Sequence, residues 1–299
     1  MTTATTPEDS ITTVNGQDCC LHTWNGQAES PKGIALVFHG FAAHGLYPTV
    51  KYAAELLASN NYIVVAPDLV GHGKSSGMKG YIPSAEALLD STVAIANRIR
   101  DQYAKKSDKF FLVGSSMGGT ISLMVAQNIA EETKESPNGS SITGVVLLAP
   151  MLKLNVATPA RYLLSSLAMI PGLCTMPLIP SNSTSSEVQY REPEKRKECD
   201  DDTLTIKGKL RISSASSCVE LAQLAQSQFA SFQIPFLLMV ADEDVVVQNQ
   251  GSFDLMEQSP STDKTIKRYT ALHGLLCEPK PLVDQIQKEL IEWVDARAS

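Results

Sequence analysis

An apolar run, Phe110 to Val113, leads into Gly114-Ser115-Ser116-Met117-Gly118, and a helical run, Thr120 to Ala130, leads out of it. Few folds accommodate that order. A strand that turns into a helix within so few residues crowds the backbone at the apex, and side chains at Gly114 or Gly118 would collide with neighbouring chain. The pattern therefore predicts a strand, a sharp turn and a helix, with Ser116 held out at the helix N-terminus as a candidate nucleophile. A glycine-rich turn without chemistry fits the same five residues, so the reading needs partners elsewhere in the chain.

One partner comes from the histidines. Where a strand-turn-helix presents a serine nucleophile, the acid and then the base follow it along the chain. Of the five histidines, His22, His39, His44, His72 and His273, only His273 lies beyond Ser116. It follows a strand-like run, Thr265 to Thr270, and precedes Gly274, which sets it in a loop at a strand's C-terminal end. Neutral imidazole near pH 7 can take the serine proton and return it.

The orienting carboxylate is sought in Asp242-Glu243-Asp244, after the buried strand Pro235 to Val240. Asp244 is the choice, because Val245 to Val247 return the chain to the core and let that side chain turn inward. Asp242 is the runner-up, and Glu243 is expected to face solvent. Attack on a carbonyl also creates an oxyanion that needs preorganised N–H donors. The expected donors are Met117, next to the nucleophile, and Phe41, in the loop after the strand Ile34 to Phe38. His39 and His44 are then loop organisers, and Asp68 to Ser75 reads as a tight hydrogen-bonded loop near the site.

Strand-like runs near Ile34, Ile63, Phe110, Val145, Phe236 and Thr265 alternate with helical patterns at Val50–Ser59, Ser84–Tyr103, Thr120–Ala130, Ser252–Gln258 and Pro281–Ala298. Such alternation predicts an α/β fold with a mostly parallel central sheet and helices on both faces. Ile11 to Trp24 should add an antiparallel edge hairpin, and Thr133 to Ser141 a polar surface loop. The alternation breaks from Met151 to about Ser231. The expected organisation is a disordered tail at 1–10, a core formed by 11–150 and 232–299, and a cap or lid at 151–231.

Within the cap, Tyr162 to Pro180 is uncharged and apolar, yet Pro171, Gly172, Pro177 and Pro180 interrupt it, which argues against a membrane-spanning helix. It can pack as the cap's underside, or also expose apolar surface to lipid droplets or membranes; either way it can line an acyl-binding tunnel. The net charge of −7 argues against nucleic acid as a partner. The first ten residues carry no basic, apolar leader pattern, so a cytoplasmic location is the expectation. The six cysteines have no metal-like spacing; Cys277, four positions after His273, offers a thiol-sensitive site as a minor reading.

Phe38-His39-Gly40, Asp68 to Ser75, Gly114 to Gly119, Pro235 to Val247 and His273 together resemble the monoacylglycerol lipase family of α/β-hydrolases. Its relatives include caffeoylshikimate esterases and proteins grouped as serine aminopeptidase-like hydrolases. The resemblance runs over about residues 10 to 298 and is weakest between Leu152 and Phe232, where the family's cap lies. It implies an α/β-hydrolase fold with a helical cap insertion. Asp244 falls on the family's catalytic acid, and Phe41 and Met117 on its oxyanion-hole positions.

The implied activity is hydrolysis of carboxylic esters of lipids through an acyl-enzyme, with no metal or organic cofactor. Monoacylglycerol, giving glycerol and a fatty acid, is the first expectation; lysophospholipids and phenolic esters are alternatives. Two residues depart from the family pattern: Ser115 stands where histidine is usual and Ala241 where glycine is usual. Neither removes a proton-transfer group, so both bear on rate and substrate range. A peptidase using the same triad and a non-catalytic ligand-binding relative are the competing readings.

Overall fold

The computed structural model describes residues 6–133 and 142–299. In chain order the elements are β1 (Glu8–Val14), β2 (Gln17–Trp24), β3 (Gly33–Phe38), α1 (Pro48–Ser59), β4 (Tyr62–Pro67), α2 (Ala85–Tyr103), β5 (Phe110–Ser115), α3 (Met117–Thr133) and β6 (Gly144–Leu148). There follow α4 (Thr158–Ala168), β7 (Pro177–Ile179), α5 (Ser186–Gln189), α6 (Pro193–Asp201), β8 (Leu210–Arg211), α7 (Ile212–Gln228), β9 (Phe236–Ala241), α8 (Gln250–Gln258), β10 (Lys264–Tyr269) and α9 (Leu282–Ala298).

The main sheet has the order β1-β2-β4-β3-β5-β6-β9-β10. The β1–β2 and β2–β4 pairings are antiparallel and the rest parallel. Every residue of β3, β4, β5, β6 and β9 is buried, which is why these strands read as continuous apolar runs. Successive side chains point to opposite faces. Ile34, Leu36 and Phe38 join the core beneath α2, α3 and α7, while Ala35 and Val37 pack toward α1 and α9. The sheet is thus covered on both faces, as the alternation predicts.

β1 begins at Glu8, so the boundary expected at residue 10 falls inside a strand; pairing with β2 orders what looked like tail. Residues 1–5 and most of the polar loop at 133–141 lie outside the described residues. Within the stretch from Met151 to Ser231, α7 packs against α4 of the expected cap as well as against core helices. α4 to β8 sit over the sheet's C-terminal edge with β7 and β8 paired antiparallel, and the core helices that α7 meets are α2 and α3. We propose that the cap proper ends near Arg211 and that α7 is the crossover helix into β9. Among the described residues no helix is long and apolar enough to cross a membrane.

A buried ionic cluster fastens the edge hairpin to the loops above the sheet. The Asp68 carboxylate accepts the N–H groups of Gly45 and Lys74, each at 2.7 Å, and lies 3.1 Å from His22 Nε2. His22 Nδ1 is 2.6 Å from Asp9. Burial alone would raise the Asp68 pKa, but the imidazole and the two N–H donors outweigh it and hold the carboxyl well below its ordinary range. Burial likewise opposes charge on His22, and the flanking carboxylates of Asp68 and Asp9 reverse this and raise its pKa.

A group with a raised folded-state pKa stabilises fully below its unfolded value and loses that contribution as pH rises through the folded one. His22→Gln should therefore lower the unfolding free energy by about 1–3 kcal/mol near pH 6 and by less at pH 9. Urea titrations at the two pH values check this. A gap that widens with pH would contradict the charged-imidazole reading.

Candidate active site

Ser116 stands between β5 and α3 at φ +57°, a left-handed conformation that costs a non-glycine residue roughly 1–3 kcal/mol. Its surroundings enforce it. The Ser116 N–H donates to Leu148 O at 3.0 Å, and its carbonyl accepts from Gly119 N–H at 3.0 Å and Met151 N–H at 2.9 Å. A Cβ on Gly114 would come within 2.0 Å of Gly118 O, and one on Gly118 within 2.1 Å of Phe38 O. Backbone cannot yield by that much, so both positions require glycine, the condition read from the sequence.

His273, in the loop after β10, pairs with Asp244, in the loop after β9; Nδ1 lies 2.6 Å from Oδ2. A carboxylate only accepts, so Nδ1 carries a proton and donates it to Asp244. The Asp244 side chain is inaccessible to solvent and that of His273 nearly so. The second Asp244 oxygen accepts the N–H groups of Val246 at 2.8 Å and Val247 at 3.1 Å. These two backbone donors hold the carboxylate inward, although Val245 itself is exposed. Asp242 pairs instead with Arg268 at 2.9 Å, and Glu243, half-exposed, pairs with Arg191.

Ser116 and His273 line one narrow cleft of about 40 Å³, together with Gly40, Phe41 and Ser115 from the core and Gln189 from the cap. Phe41 and Met117 are buried beside the serine, and among the described residues neither N–H is taken by a backbone carbonyl. Both N–H groups are thus available to a hydrogen-bond acceptor. Ser115, the departure from the usual histidine, is buried in the same wall and adds a small hydroxyl there.

The remaining histidines organise loops. His39 Nε2 accepts the Leu69 N–H at 3.0 Å, which leaves Nδ1 to donate to Gly40 O at 2.7 Å. Burial holds its pKa far below the ordinary imidazole value, so it stays neutral. His72 packs on the His39 and Phe41 rings, and burial pushes its pKa down to about 4. His44 does more than pin its own loop. Its Nδ1 accepts the Leu46 N–H, so Nε2 donates to Asp202 of the cap at 2.6 Å.

Three residues important to the site's geometry have weak sequence signals. Arg191, in a run of interleaved basic and acidic residues, donates to Glu278 at 2.9 Å as well as to Glu243. Glu278 is buried and accepts the Leu272 N–H at 2.6 Å, so one cap arginine ties the Asp244 loop to the His273 loop. Tyr190 lies where a Cβ on Gly274 would come within 2.3 Å of its ring, and the Gly274 N–H donates to Gln189 O at 3.0 Å. Cys277 is buried nearby and burial raises its thiol pKa far above the ordinary value, which leaves little thiolate for reaction.

On the other side of Ser116 opens a chamber of about 730 Å³, lined by Leu154, Leu163, Leu164, Leu167, Cys218 and Val246. Its volume lies in the usual range for ligand sites, about 300–1,000 Å³. Ser116, an imidazole paired with a buried carboxylate and an apolar chamber thus lie around one opening.

The sequence pattern of the serine aminopeptidase (S33) family matches residues 29–280. The chain is 27% identical over 270 residues to caffeoylshikimate esterase of Arabidopsis thaliana, covering 89% of this chain and 78% of that protein. It is 25% identical over 289 residues to monoglyceride lipase of Rattus norvegicus, covering 96% and 90%. Among solved structures it superposes on Paleococcus ferrophilus monoacylglycerol lipase with a TM-score of 0.74, at 25% identity, covering 93% of this chain and 98% of that one. A soluble variant of monoglyceride lipase from Saccharomyces cerevisiae, solved with a substrate analogue, shares the fold at a TM-score of 0.82 and 18% identity, covering 100% and 98%. Because the family match runs unbroken through the serine elbow and on past His273, the chain belongs to the serine aminopeptidase (S33) family of α/β-hydrolases and is a carboxylic ester hydrolase of the monoacylglycerol lipase-like kind.

Proposed function

We propose that Ser116, His273 and Asp244 form a catalytic triad that hydrolyses monoacylglycerols to glycerol and fatty acid. The observation that carries this reading is Ser116 on a wall shared by the narrow polar cleft and the large apolar chamber. An acyl chain enters the chamber, where each buried methylene contributes about 0.8 kcal/mol. The glycerol end stays in the cleft. His273 Nε2 removes the Ser116 proton as Oγ attacks the ester carbon, and the N–H groups of Phe41 and Met117 hold the oxyanion. The imidazolium, steadied by Asp244, then gives its proton to the departing alcohol. Water repeats the sequence on the acyl-enzyme and releases the acid.

The chamber favours a flexible chain over a flat phenolic acyl group, because Phe41 is the one aromatic side chain among its lining residues. A panel of 1-oleoylglycerol, a caffeoyl ester and an aminoacyl anilide should show turnover of the first at least about tenfold above the others, the margin a chamber shaped for one acyl group can supply. Faster cleavage of the caffeoyl ester or the anilide would overturn the assignment. Fluorophosphonate should label Ser116; failure to label would favour a non-catalytic binder.

We also propose that the cap rests on lipid surfaces. Leu164 of α4 faces inward, but Tyr162, Leu163 and Met169 are 73%, 60% and 84% exposed, and Ile170, Met176 and Leu178 extend the patch. Leu163 also lines the acyl chamber, so this surface adjoins its rim.

A further inference from the structure

A third cavity, of about 350 Å³, lies between the cap and the loop before α2. Phe41 lines it, and Phe41 also lines the cleft and the acyl chamber. Thr205 and Lys207 line both this cavity and the cleft. The cavity therefore adjoins the cleft beside Ser116, and through Leu210 it also borders the acyl chamber.

Its lining is cationic in a chain of net charge −7: Lys79, Lys207, Lys209 and Arg211 contribute and no carboxylate does. The hydrogen bonds these side chains make leave the charge uncompensated. Lys79 donates to Gly73 O, Lys207 to Asp200 O, and Arg211 to Lys79 O at 2.8 Å and to Thr175 O. All of these acceptors are neutral carbonyls. Among the described residues none of the four is ion-paired with a carboxylate. The second observation is independent of charge: the Thr205 hydroxyl, at the junction with the cleft, is buried and has no hydrogen-bond partner among the described residues. A buried hydroxyl without a partner is costly, and one placed between cations is suited to donate to an anionic oxygen.

We propose that this cavity is a subsite for a phosphate carried on the glycerol head of the substrate, so that acylglycerol phosphates are hydrolysed along with neutral monoacylglycerols. The proposal rests on Ser116 being the nucleophile for acylglycerols. The acyl chain fills the apolar chamber, the ester carbon lies at Ser116, and the glycerol passes Phe41 to bring its phosphate among Lys79, Lys209 and Arg211. Thr205 donates to a phosphate oxygen at the entrance. The ester bond is the bond that breaks; the phosphate serves for binding and leaves on the released glycerol phosphate.

The test compares 1-oleoylglycerol with 1-oleoylglycerol 3-phosphate, each in uncharged detergent micelles, for the wild type and Lys79→Ala/Lys209→Ala. Lys105→Ala/Lys288→Ala, before β5 and on α9, removes the same net charge as a control. The cavity double variant should lose at least about tenfold in kcat/KM on the phosphorylated substrate, the worth of one or two charge-assisted hydrogen bonds, and stay within about twofold on the neutral one. The remote variant should change neither.

A wild type that cleaves 1-oleoylglycerol but not its phosphate would overturn the subsite and leave the lipase reading standing. Equal losses in the two double variants would assign the effect to bulk charge and overturn it too. Inorganic phosphate that inhibits 1-oleoylglycerol cleavage in a Lys79- and Lys209-dependent manner, with unchanged handling of the phosphorylated ester, would make the cavity a free-phosphate site. If neither ester is cleaved and fluorophosphonate leaves Ser116 unlabelled, the lipase reading and the subsite fall together.

Discussion

Ser116→Ala should reduce monoacylglycerol hydrolysis by about a millionfold, the scale on which serine hydrolases lose kcat when the nucleophile is removed. Some acceleration over water should survive, because the Phe41 and Met117 N–H donors and the acyl chamber remain. Folding should be little affected. Alanine accepts the same left-handed backbone no worse than serine, and the bonds that hold the apex, from Ser116 N–H to Leu148 O and from Met151 N–H to Ser116 O, are backbone bonds. Kinetics with 1-oleoylglycerol beside thermal unfolding of the same preparation checks both halves. A variant that retains a tenth or more of the wild-type rate would show that another group carries the reaction.

Asp244→Asn should lower kcat by about 10⁴ with the fold intact, and Asp242→Asn should change it only a few-fold. The difference comes from hydrogen-bond chemistry. Asp244 accepts the His273 Nδ1 proton at 2.6 Å, which in the neutral ring leaves the lone pair on Nε2. An asparagine can present its NH₂ to Nδ1 instead, moving the proton to Nε2 and leaving the imidazole unable to act as a base toward Ser116. Asp242 makes a half-exposed pair with Arg268, and such pairs contribute about 1 kcal/mol or less. Steady-state kinetics of the two variants decides the matter; the reverse order of effects would transfer the role to Asp242.

How much of this was legible beforehand varied with the range of the interaction. The elbow at Ser116 could be read locally, because two glycines excluded by backbone contacts at 2.0 and 2.1 Å leave a direct mark on residue type. Chain order singled out His273 as the one histidine after the serine, and the pairing of His273 with Asp244 puts the two candidates together, although Val245 itself is exposed and only Val247 is buried. The start of β1 at Glu8 was not legible. Polar, threonine-rich residues look like a tail until β2 provides the partner strand. The place of α7 is a long-range property too, since it contacts α4 on one side and α2 and α3 on the other.

The clamp of Arg191 on Glu243 and Glu278 left only an interleaved run of charges in the sequence, the ordinary mark of a solvated surface. The same holds for Lys79, Lys207, Lys209 and Arg211, which lie up to 132 residues apart and become a charged cavity only when cap meets core.

From its sequence alone this chain was bound to an α/β architecture with a serine at a strand-to-helix turn, because strand periodicity, helix periodicity and steric exclusion at glycine act between near neighbours. Which face of each loop meets the cap, where the acyl chamber ends and what sign of charge adjoins it were decided by the tertiary structure. Those properties depend on side chains brought together from distant segments, and burial gives a lone hydroxyl an energetic weight that it lacks in an extended chain.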